Sequence, residues 1–122
     1  MSKKKKTLVL GASDNPMRYS FLAIQRLRQL GHPVVAIGRK TCAVGDVAVD
    51  TNQEPSNDVD TVTVYMNAKH QKEYYDYILS LHPKRIIFNP GAENDELASL
   101  AAQHNIEPME ACTLVLLSTG QY

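Results

Sequence analysis

The 122-residue chain predicts one α/β domain of the Rossmann type over residues 1–122, a doubly wound and mainly parallel sheet of about five strands with helices on both faces. Three observations predict it. Four short apolar runs rich in β-branched residues read as strands buried on both faces. Segments with helical apolar spacing alternate with those runs. The first run also stops at a glycine and resumes as an amphipathic helix, the opening unit of a nucleotide-binding sheet.

The strands are "TLVL" at 7–10, "VVAI" at 34–37, "VTVYM" at 62–66 and "RIIF" at 85–88. Between the first two, Phe21, Ile24, Leu27 and Leu30 repeat at helical intervals, and Gly31 stands where a left-handed C-terminal cap is wanted. Tyr74, Ile78 and Leu81 mark a second helix, and Leu97, Leu100, Ala101 and His104 a third. "EPME" at 107–110 is a fifth strand placed at an edge by Pro108. The tail "TLVLLS" fits helix or strand. Residues 38–58 carry turn formers and charges, with only "DVAV" at 46–49 alternating like a short strand, so the second crossover is not a full helix.

Thirteen basic residues balance thirteen acidic ones, which gives no electrostatic case for nucleic acid or membrane. The run Lys3-Lys4-Lys5-Lys6 reads as a solvated lead-in to the first strand. The apolar stretch behind it is too short for a signal peptide, which needs roughly 7 to 15 residues, and no run reaches the ~20 of a spanning helix. A soluble protein is expected. Cys42 and Cys112 have no partner at zinc or disulfide spacing, so neither a metal site nor a disulfide is expected and a reducing cytoplasm fits.

The turn at 11–20, "GASDNPMRYS", borders the crevice where ligands bind in such sheets. Gly11 can take a positive φ, Asn15 suits a helix N-cap and Pro16 the first helical position. The helix start then aims main-chain N–H groups and the positive dipole end at the crevice, a setting for phosphate, with Arg18 and Ser20 as further donors. The dinucleotide fingerprint G-x-G-x-x-G is poorly matched, since Ser13 and Pro16 occupy its second and third glycine positions. Nor does the second strand end in an acid for a ribose hydroxyl. It ends "IGRK", and Gly38, Arg39 and Lys40 suit a ribose that carries its own phosphate. NADP and coenzyme A both qualify.

"GASDNPxRYS" and "FNPGAENDE", with the "AC" at 111–112, resemble the CoA-binding-domain family of small stand-alone proteins, whose fold is similar to the CoA-binding domain of the succinyl-CoA synthetase alpha subunit. The resemblance runs over nearly the whole chain. It implies that Gly11, Ala12, Ser13, Arg18 and Ser20 border the CoA phosphates and that the loop after the second strand borders the adenosine end. That loop departs from the family, which usually reads valine-asparagine-proline where "IGRK" stands. Asn89, Pro90 and Gly91 follow the fourth strand on the same edge, where main-chain groups can meet the pantetheine arm. Asn94 is expected to cap the next helix with Asp95 and Glu96 in its first turn. Cys112 stands where the family often carries cysteine and reads as a small buried residue.

No nucleophile, paired acid and base, or metal set stands at this edge. The expectation is therefore a module that binds coenzyme A or an acyl-CoA, with no catalytic residue, and senses, carries or presents it. Two other classes stay open: an NADP-dependent oxidoreductase that works as an oligomer, and a protein-interaction module whose nucleotide pocket has decayed.

Overall fold

The computed structural model describes residues 3–122. Its sheet is built around β1 (Thr7–Ala12), β2 (Val34–Gly38), β5 (Thr61–Val64) and β6 (Arg85–Phe88), the four apolar runs. Each runs parallel to its neighbours. β5 and β6 are buried along their whole length, as strands covered on both faces must be. β7 (Glu107–Glu110) pairs parallel to β6 at the sheet's edge, and there Pro108, lacking an N–H, costs no ladder bond.

The sheet has seven strands, not the five expected, in the order β3-β4-β2-β1-β5-β6-β7. The additional pair is a hairpin, β3 (Cys42–Val44) and β4 (Val47–Asp50), inside the segment that looked irregular. β4 lies parallel to β2 and buries Val47 and Val49 while exposing Ala48 and Asp50. β4 falls on the alternating segment "DVAV" seen in the sequence, whereas β3, three residues long, carries too little pattern to stand out. Residues 51–60 then cross to β5 without a helix, held by Tyr77 Oη donating to the Glu54 carbonyl at 2.7 Å.

Helices α1 (Tyr19–Gln29) and α5 (Thr113–Ser118) cover one face, where Ile24, Leu27 and Leu117 pack on Val9, Ala36 and Val49. The ambiguous tail is thus helical. The other face is covered by α3 (Tyr75–Ser80) and α4 (Asp95–Gln103), with Ile78 and Leu97 against Leu8, Leu10, Val62, Val64, Ile86 and Phe88. α2 (Ala68–Gln71) and a 3₁₀ turn at Lys72–Tyr74 lead into α3. From β1 the chain passes first to β2 on one side and later to β5 on the other. The reversal between β1 and β5 opens a crevice past their carboxyl ends.

Candidate functional site

The floor of that crevice is main chain. Gly11 sits at φ +91° in a bulge of β1, and a Cβ there would come within 3.1 Å of the Met66 nitrogen. The bulge brings Ala12 opposite Gly38, so closely that a Cβ on Gly38 would collide with the Ala12 carbonyl oxygen. Glycine at both positions lets β1 meet the end of β5 on one side and the end of β2 on the other. Gly38 is therefore a buried piece of the floor, whereas Arg39 and Lys40 stand exposed on the rim.

The turn that follows differs from expectation. Asn15 does not cap α1, and Pro16 is not helical. Asn15 Oδ1 accepts from Met17 N at 3.0 Å, and the Asn15 carbonyl accepts from Arg18 N at 3.0 Å, which closes a turn on itself with Pro16 at its fixed φ. Ser13 Oγ accepts from Asn15 N at 3.0 Å. The helix begins three residues later, with exposed Arg18 at its N-cap position making no capping bond. Ser20 lies on the buried face with Ala23, Ile24 and Leu27, so what it offers the mouth is its amide.

That helix start is bare where α2 and α4 are capped, and although α5 also lacks a cap and a first-turn acid, its first amide donates to Asn89 Oδ1. Asn67 caps α2 by accepting from His70 N, and Asn94 caps α4 by accepting from Leu97 N at 3.1 Å, with Asp95 and Glu96 in the first turn. α1 has no cap and no acid in its first turn. Among the described residues, the amides of Tyr19, Ser20 and Phe21 meet no acceptor. Uncapped N–H groups and an uncompensated dipole form an anion-binding end.

Asn89 does not face the mouth. It is 2 % exposed, its Nδ2 donates to Thr63 Oγ1 at 2.7 Å and to the Val64 carbonyl at 2.9 Å, and its Oδ1 accepts from Thr113 N at 2.9 Å. It ties the ends of β5 and β6 to the start of α5, leaving Pro90 and Gly91 exposed at the edge. Gly91 N donates to Glu93 Oε1 at 2.9 Å. Gln71, fully buried, bridges the Met66 and Ala92 carbonyls from the next turn along and accepts from Asn94. Neither bridge was legible, because each partner lies on a different element.

Tyr65 also escaped sequence reasoning. Its hydroxyl is buried near Thr113 and Thr63, in hydrogen-bonding geometry with neither, and burial pushes its pKa up to about 12. It is a neutral phenol rather than a base. Cys112, half-buried, precedes α5. Among the described residues no cluster of His, Cys, Asp and Glu could hold a metal, and no helix is long and apolar enough to cross a membrane.

The chain matches the family model described as the CoA binding domain over residues 5–118. It belongs to that family. Among solved structures, an uncharacterized protein is 45% identical, with 99% of this chain and all of that one covered at a TM-score of 0.96. Two more distant solved structures share the fold. The cell-free protein ID.343 of Thermus thermophilus is 17% identical (TM-score 0.86, covering 98% of this chain and 91% of that one). A hypothetical protein of Pyrococcus horikoshii OT3 is 18% identical (TM-score 0.86, covering 96% and 84%). No curated protein matches the chain. The CoA-binding-domain family thus supplies the ligand class, a nucleotide, and the neighbours supply the fold.

Proposed function

We propose that this chain is a binding module for coenzyme A or an acyl-CoA, with no chemistry of its own, that senses, carries or presents its ligand in a reducing cytoplasm. The observation that carries this is the start of α1, uncapped, without an acid and with its first amides unpartnered, whereas α2 and α4 are capped by asparagine. Its amides and Arg18 suit the pyrophosphate. Arg39 and Lys40 suit the phosphate on the ribose 3′ oxygen, and the exposed main chain of the Pro90-Gly91 turn suits the pantetheine arm. Tyr65, held neutral, offers no general base.

Calorimetric titration with CoA, dephospho-CoA, NADP and NAD tests the reading. CoA is expected to bind more tightly than dephospho-CoA, and heat from NADP without heat from CoA would overturn the assignment. Replacing Arg39 and Lys40 together by alanine is expected to weaken CoA by roughly 1.5–3 kcal/mol for each charged hydrogen bond removed, and to leave dephospho-CoA nearly unchanged. Mass spectrometry of natively purified protein would show whether the bound nucleotide carries an acyl group.

A further inference from the structure

One ion pair joins the turn after β1 to the loop after β2, on the β2 side of the crevice. Asp14 Oδ1, in the turn after β1, lies 3.3 Å from Lys40 Nζ, just past β2, close in sequence to Ala12 and Gly38, where the ends of those two strands meet. Asp14 is the sole acid in residues 11–20, and its side chain makes no hydrogen bond besides this pairing among the described residues. The neighbouring Arg39, exposed, makes no ion pair among those residues. The two cations of the rim are therefore unequal: one is committed to an internal carboxylate and one is not.

The pair is a poor candidate for a stabilising contact. Lys40 is 70% and Asp14 39% exposed, and pairs so well solvated contribute little to folding. Their placement gives them another consequence. A phosphate entering at Arg39 meets a lysine whose charge is already shared with Asp14, and a carboxylate of its own sign beside it.

We propose that Asp14 sets the affinity and phosphate selectivity of the crevice by competing with the ligand's ribose phosphate for Lys40. This rests on reading the crevice as a CoA site. A nucleotide that carries the phosphate must draw Lys40 from Asp14, whereas one that lacks it leaves the pair intact. The carboxylate thus holds CoA binding below what two uncommitted cations would give.

The test is a double-mutant cycle read by calorimetry with CoA and dephospho-CoA. Asp14→Asn keeps the side chain's size and removes its charge. It is expected to tighten CoA by about two- to fivefold and leave dephospho-CoA unchanged, and the gain is expected to vanish when Lys40→Ala is the background. Equal tightening of both ligands would overturn the proposal, because it would mean relief of repulsion at the pyrophosphate instead. Unchanged or weaker CoA binding in Asp14→Asn would overturn it too, with the CoA reading left standing. If the unsubstituted protein gives no heat with CoA, the CoA reading falls and this inference falls with it.

Discussion

The two edges of the sheet share the same strands and are finished in opposite ways. At the amino edge, side chains bind the surrounding segments to the sheet. Lys4, Lys5 and Lys6 fan out from the entry to β1, and their Nζ atoms donate to the carbonyls of Leu30 at 2.6 Å, Tyr122 at 2.5 Å and Asn57 at 2.7 Å. The Tyr122 ring is seated among them, 4.4 Å from the Arg85 guanidinium and edge-on to His32 at 5.1 Å, with its hydroxyl paired to Thr7. At the carboxyl edge the rim cations Arg18 and Arg39 are exposed and α1 starts bare. The carboxyl edge keeps its buried ties, Asn89 and Gln71, behind the first turn, and leaves the exposed polar groups of that turn uncommitted.

The sharpest way to break that division is to damage the amino edge and watch the other. Tyr122→Ala removes the ring from Arg85, Lys5 and His32 and is expected to lower stability by about 2–3 kcal/mol, read as a shift in urea midpoint, with CoA affinity within about twofold of the unsubstituted protein. A large loss of affinity at unchanged fold would show that the edges are coupled, through α5, which spans from Asn89 to the Tyr122 region.

Gly38→Ala reverses the experiment. The added methyl meets the Ala12 carbonyl and lies 3.0 Å from Val49 Cγ1, so a stability cost of about 1–3 kcal/mol is expected. Here CoA binding is expected to weaken by about tenfold or more, because the floor of the proposed site shifts. Stability lost without affinity lost would place the ligand away from this floor.

A smaller effect sharpens the account of the amino edge. His32 Nδ1 accepts from Lys5 N at 2.9 Å, so the ring must be unprotonated there. Burial lowers its pKa, with Lys4, Lys5 and Arg85 adding to the shift and Asp60 opposing it. The unfolded chain therefore takes up the proton first, and stability is expected to fall as pH drops below about 6.5 toward the folded pKa. His32→Asn, which keeps an acceptor and cannot titrate, is expected to flatten urea midpoints measured between pH 7.5 and 5.5. An unaltered slope would assign the pH dependence to other groups.

What the sequence made legible follows from range. β1, β2, β5 and β6 were plain because burial on both faces leaves an unbroken apolar run, and α4 because Asn94, Asp95 and Glu96 announce its start. Gly11 was legible because a positive φ nearly requires glycine there. The start of α1 was misplaced, since Asn15 can cap a helix or close a turn with equal chemistry, and here the turn prevails. The four lysines read as a solvated run, yet three of them reach carbonyls between 26 and 117 residues away. Asn89 looked like a residue of the mouth because its partners Thr63 and Thr113 lie 26 and 24 residues off. Local chemistry was readable, and contacts between distant elements were not.

The meeting of Ala12 with Gly38 has a further consequence. A platform made of peptide groups is indifferent to side-chain identity, so in the proposed site the scaffold would fix where a nucleotide lies without fixing which one it is. In that proposed site discrimination would fall to a few partly or fully exposed residues, Asp14, Arg18, Arg39 and Lys40, that are replaceable at little risk to folding. Retuning this protein toward another nucleotide would be a matter of rewriting those four letters and leaving the bed beneath them alone.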